Sequence, residues 1–165
     1  MKPTAMPNPS SSCRGPETSP ADASSLLADQ AAYLAVLAQC RGDTLKAFVD
    51  ERLLPILPAV TVLHQGSGLC MVPARDTARG TVHHLGEVLV SEARVRLGGA
   101  EGYGACLGPD LQRALAAAIV DAAIRSGCEL TAVAAFLAEE AFRLAADAAR
   151  WQALVEATRV EMETF

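Results

Sequence analysis

Two adjacent histidines, His83-His84, are the residues best suited to hold a metal ion or pass a proton. They lie in a stretch patterned like a β-strand, where neighbours point to opposite faces, so the pair cannot chelate one ion through that strand alone. His64 and Cys70 could approach across a hairpin, but a third and a fourth ligand are missing. Gly102-Tyr103-Gly104, followed by Gly108, looks like a glycine-rich loop that could cradle a ligand. It lacks both the G-x-G-x-x-G spacing and the Lys-Ser/Thr pair of a P-loop. The helix start after Gly108 could meet an anion through its free N–H groups, yet Asp110 stands there to accept from them itself. Ser67 has no G-x-S-x-G elbow around it. Glu87 and Glu92, five apart on a strand, face opposite ways and form no acid/base pair. No catalytic, cofactor-binding or metal set is therefore expected on this chain alone.

What remains is a charged row. In GEVLVSEARVRL (86–97), Leu89, Ala93, Val95 and Leu97 align on one apolar face, as a half-buried strand requires. The opposite face starts with Val88 and Val90 and then carries Glu92, Arg94 and Arg96. Alternate residues on one face sit about 6.5–7 Å apart. Glu92 can therefore offset Arg94, leaving Arg96 for a partner. Solvation is the simplest role for such a face, and a protein interface, where arginine is enriched, is the other.

The elements that must position this strand are legible from punctuation and period. A first helix is expected from Ser24 or Ser25, with Leu26, Tyr33 or Leu34, and Leu37 on one face, ending near Gly42. Asp43 or Thr44 would cap a short second helix with Leu45, Val49 and Leu53 inward, stopped by Pro55 and Pro58. Residues 59–66 and 68–75 read as two strands of a hairpin around Gly66-Ser67-Gly68. A polar turn (75–80) leads to the long strand 81–97, with a bend expected at Gly86. Gly98-Gly99 turns the chain into a last strand, 102–107. Asp110 then opens a helix that Gly127 closes, with Leu111, Leu115, Ala118, Ile119 and Ala122 inward and Asp121–Arg125 as an i,i+4 surface pair. Residues 129–158 are helical by period, with Leu144, Ala148, Trp151 and Val155 in register. Thirty helical residues span about 45 Å, so this helix either breaks near Ala138–Glu140 or projects towards another subunit. The fold class is α+β: a small antiparallel meander of about four strands flanked by N-terminal and C-terminal helices.

Composition sets the outer limits. The Pro/Ser-rich segment 1–22 holds too few large apolar residues to order itself and reads as a disordered tail, which leaves 23–165 as a single domain. The formal charge of −5 argues against a sequence-blind nucleic-acid binder. No run reaches the roughly 18–20 apolar residues of a membrane span. The first residues lack the apolar core of a secretory signal, so the chain is expected in the cytoplasm. Five scattered cysteines with no C-x-x-C suggest neither a disulfide framework nor a zinc knuckle.

A longer pattern overlies these pieces. Arg75, Thr77, Gly80, Leu85-Gly86-Glu87, Val90, Glu92-Ala93, Val95, Gly102-Tyr103, Leu107-Gly108, Asp110, Asp121-Ala122 and Thr158-Arg159-Val160-Glu161 follow one family's arrangement. On these residues the sequence resembles the PhnG family, the G subunit of the bacterial carbon–phosphorus lyase system for phosphonate breakdown. The resemblance covers most of residues 30–165 and is densest at 68–125. His83-His84 stands where the family often has an aromatic residue, Pro109 where a basic one is common, and Met162-Glu163 where two aromatics are typical.

The resemblance implies a cytoplasmic subunit of a core complex with subunits H, I and J, forming a two-fold central assembly with I, served by accessory ATP-binding-cassette proteins. With H, I and the accessory L protein it would support displacement of adenine from MgATP by an alkylphosphonate. That makes it part of a transferase, α-D-ribose 1-methylphosphonate 5-triphosphate synthase. The product, ribose 1-alkylphosphonate 5-triphosphate, is later cleaved by the radical subunit J, and the nucleosidase-type chemistry belongs to I. MgATP is used by the complex, with no cofactor held by this chain alone. Glu92, Arg94, Arg96, Trp151 and Arg159 are the expected partner contacts. The competing expectation is a free-standing enzyme or ligand-binding domain using His83, His84 and the Gly102-Tyr103-Gly104 loop, active as a monomer.

Overall fold

The computed structural model describes residues 26–159, and the Pro/Ser-rich tail over 1–22 falls outside them. In chain order the elements are helix α1 (Gln30–Gln39), helix α2 (Gly42–Phe48) running into a π-helical turn (Val49–Leu53), strands β1 (Val60–Arg75), β2 (Val82–Leu97) and β3 (Ala100–Leu107), helix α3 (Leu111–Ser126) and helix α4 (Leu130–Ala157). The sheet is antiparallel, in the order β1-β2-β3. The class is α+β, with helices before and after a three-stranded meander.

The fourth strand expected from the sequence does not exist. Gly66-Ser67-Gly68 is no hairpin turn: β1 passes straight through it, pairing Gly66 with Glu92, Ser67 with Ser91 and Gly68 with Val90. A tight hairpin needs positive φ angles, and neither Gly66 nor Gly68 has one. The ladder instead runs on through these residues, and the Ser67 and Ser91 hydroxyls meet across the β1–β2 pair at 3.1 Å. Turns fall where φ is positive, at Gly80 and at Gly98. The register slips twice, between Val62 and His64 on β1 and at Val72/Pro73 opposite Gly86. The second slip bears out the bend expected there. Pro73 is tolerated because β1 is an edge strand.

Helix boundaries moved for identifiable reasons. α1 is capped by Asp29, whose Oδ1 accepts from the N–H groups of Ala31 (3.0 Å) and Ala32 (3.3 Å). Ser24 and Ser25 lie outside the described residues. α2 starts two or three residues early, at Gly42, with no side-chain cap on Arg41. Leu45, Val49 and Leu53 are buried as its period requires. α3 opens at Asp110, which accepts from Arg113 N–H at 2.9 Å, and closes at Gly127 with φ 74°.

α3 is the centre of the molecule. Ala114 and the whole run Ala116–Ala123 are buried, because the sheet covers one side and α1, α2 and α4 the others. A helix enclosed on that many sides needs small residues, which accounts for its alanine content. β3 lies so close to it that Gly102 and Gly104 admit no side chain. α4 does not break. Its first half packs Val133, Phe136 and Leu137 inward, with Phe136 stacked on Phe48 at 4.2 Å. All residues from Ala145 to Arg159 are exposed, so the helix overhangs the domain.

Candidate functional site

Alternation along β2 separates the two faces of the sheet. Ser91, Ala93, Val95 and Leu97 are buried under α3, whereas Arg94 and Arg96 face outward with Glu92 on a surface that no helix among the described residues covers. Antiparallel pairing then assembles a polar cluster across three strands: His64 opposite Arg94 opposite Tyr103, and Arg96 opposite Glu101. The Glu92 carboxylate accepts from the Tyr103 hydroxyl at 3.1 Å and lies 3.3 Å from His64 Nε2. Partial burial and this contact push the Tyr103 phenol above its usual range.

The arginines are paired differently from the sequence expectation. Glu92 does not offset Arg94. Instead Glu101, brought across by the Gly98-Gly99 turn, takes Arg96 at 2.6 Å and approaches Arg94 at 3.9 Å. The Arg96 guanidinium holds the Glu101 carboxyl below the usual carboxylate range. The places of Glu101 and His64 in this cluster were not legible because cross-strand neighbours depend on register, which two bulges alter. The side chains remain about half exposed, so these are surface pairs that add little to stability.

The remaining candidates are scattered. His83 and His84 are exposed near the far end of β2, opposite Ala74 and Pro73. His64 and Cys70 share one strand, so with no hairpin between them they stand about 20 Å apart. Among the described residues no three His, Cys, Asp or Glu side chains are grouped as metal ligands. No described helix is long and apolar enough to cross a membrane. Gly102-Tyr103-Gly104 is not a loop but the middle of β3, its glycines pressed on α3. Trp151 is 69% exposed on the α4 overhang, and Arg159 makes only a local pair with Glu156.

A further residue was misplaced by sequence reasoning. Asp121 makes no surface pair with Arg125: it is 0% exposed. Its Oδ1 accepts from the Tyr33 hydroxyl at 2.6 Å and its Oδ2 from the Tyr103 backbone N–H at 2.8 Å. Burial, reinforced by this bond, pushes the Tyr33 phenol far above its usual range. The carboxyl thus ties α1, β3 and α3 together and occupies a donor on the outer edge of β3. The apolar stripe on both sides of position 121 was the available signal.

Comparison with known proteins adds to this geometry. The family described as phosphonate metabolism protein PhnG matches residues 28–165. Subunit PhnG of alpha-D-ribose 1-methylphosphonate 5-triphosphate synthase from Rhizobium meliloti (strain 1021) is 40% identical over 100 residues. That match spans 60% of this chain and 64% of the relative's length. Since the family match runs from just before α1 through residue 165, well over half the chain, the protein belongs to the PhnG family of phosphonate metabolism proteins.

Proposed function

We propose that the chain is a subunit of a ribose 1-methylphosphonate 5-triphosphate synthase and lends binding surface to a reaction centre carried by other chains. The observation that carries this is the 40% identity to a named subunit of that synthase. Two features of the molecule support it. The open sheet face offers Glu92, Arg94 and Arg96 with His64 and Tyr103 alongside. The α4 overhang offers Trp151, Leu154 and Val155 at helical spacing, all more than half exposed. The partners are the H, I and J subunits, with MgATP and an alkylphosphonate as substrates of the assembly, in the cytoplasm.

The decisive experiment is reconstitution of adenine release from MgATP and methylphosphonate with and without this chain. Release should require the chain, and Arg94→Glu with Arg96→Glu should weaken its co-purification with the other subunits. On assembly the emission of Trp151, the single tryptophan, should shift to the blue. Full activity without the chain, or turnover by the chain alone, would overturn the proposal.

A further inference from the structure

β3 ends at Leu107, opposite Val90, so Leu69–Arg75 and Val82–Leu89 continue beyond it as a two-stranded arm. The turn from Asp76 to Thr81 closes its tip. Every residue of Val82–Leu89 is exposed. Cross-strand register places Leu69, Met71 and Leu89 on the face that continues the core side of the sheet, and Cys70 and Val88 on the other, beside Leu107. Leu69 is 67% exposed, Leu107 68%, and Leu85, the extra residue at the register slip, 71%. A two-stranded ribbon with no third layer is marginally stable in water at best. Open strand edges are ordinarily guarded by charge, proline or bulges. β1 has Pro73 and the register slip beside it, but no Asp, Glu or Lys, and its one arginine stands at its last position.

Charge gathers at the tip instead. Arg75 precedes the turn and donates to the Gly80 carbonyl at 3.3 Å, Arg79 lies within it, and the Asp76 carboxylate is engaged by the backbone N–H groups of Ala78 and Arg79. Arg79 makes no ion pair among the described residues.

We infer that this arm is an insertion element: it seats in a cleft of another chain of the same assembly, one with apolar walls for both faces and acidic residues at its end. The inference rests on the subunit reading above. A cleft is specified because both faces carry exposed apolar side chains, Leu69, Met71 and Leu89 on one and Val88 with Leu107 on the other. Glu87, opposite Met71, is the one acidic residue between them. Edge-to-edge pairing with a second copy would cover one strand edge and leave both faces in water.

The test compares hydrogen exchange in the full chain, free and assembled with the other synthase subunits. Amides of 69–75 and 82–89 should slow at least tenfold on assembly. Leu69→Asp with Leu85→Asp should weaken assembly at least tenfold while leaving the melting temperature of the free chain unchanged, and Arg79→Glu should weaken it less. An assembly that forms with the arm exchanging freely, or with the double variant bound as tightly as the parent, overturns the inference and leaves the subunit reading intact. Arm protection in the isolated chain, accompanied by a doubled mass, assigns the arm to a second copy and overturns it too. A chain that enters no assembly removes both.

Discussion

An alanine at Gly102 should unseat α3 from the sheet. Its Cβ would lie 2.2 Å from the Ala118 carbonyl oxygen, 2.5 Å from Ala122 N and 2.7 Å from Ala122 Cβ. Two of these are helix backbone, which cannot swing aside as a side chain can. Ordinary contact begins near 3.5 Å, so α3 must retreat by about 1 Å. Overpacking of this kind costs about 1–3 kcal/mol. The same retreat stretches the bonds from Tyr103 N–H and the Tyr33 hydroxyl to Asp121, each worth about 1 kcal/mol. Gly102→Ala should therefore destabilise the chain by about 3–4 kcal/mol, a large share of a typical 5–15 kcal/mol total. At roughly 2–4 °C per kcal/mol, the melting temperature falls by about 10 °C. Gly104→Ala, with its Cβ 2.4 Å from Ala114 O, should behave alike. Gly68→Ala is the control: nothing lies within 4 Å of its Cβ, and stability should move by less than about 0.5 kcal/mol. Urea unfolding followed by far-ultraviolet circular dichroism measures all three. A Gly102→Ala chain within about 1 kcal/mol of the parent would show that the glycines are not spacers between β3 and α3.

Two further outcomes follow from the polar contacts. Asp121→Ala leaves the buried Tyr33 hydroxyl and the part-buried Tyr103 N–H without this acceptor and should cost about 2–4 kcal/mol. Tyr33→Phe should cost about 1–2 kcal/mol, and the double variant should reveal a coupling energy above about 0.5 kcal/mol in urea titrations. Asp110 is held below the usual carboxylate range, first by the Arg113 backbone N–H and then by Lys46. Because its pKa is lower folded than unfolded, its contribution is complete above the unfolded value of about 3.9 and fades as pH falls through the folded one. The side chain is 37% exposed, which limits the effect to about 1 kcal/mol. Melting temperatures of the parent and Asp110→Asn, compared from pH 7 to pH 2, should converge at the acid end.

The inward period of β2 was readable because one face is buried, and Ala93, Val95 and Leu97 take the places their alternation assigns. The Asp110 and Gly127 ends of α3 were readable because each residue makes its cap bond locally. Gly66-Ser67-Gly68 misled because glycine serves both turns and flat strands, and only the pairing of β1 with β2 decides between them. Gly102-Tyr103-Gly104 misled similarly, since the close approach of a helix leaves no mark in the strand's own sequence. Asp121 hid inside an i,i+4 pattern that fits a surface pair as well as a buried link. Of the candidate site, Glu92, Arg94 and Arg96 share the open face as expected, whereas Glu101 and His64 join them through non-local pairing that a single strand does not encode.

The unbroken course of α4 fixes a phase as well as a length. Fifteen positions separate Phe136, locked on Phe48, from Trp151, a rise of about 22 Å at a constant 100° per residue. Inserting one residue after Leu144 would swing the indole by about 100° around the axis and leave the packed half of the helix in place. Inserting seven would return it to nearly the same side, about 10 Å further out. Whatever grips the distal turns is therefore gauged by rotation before distance.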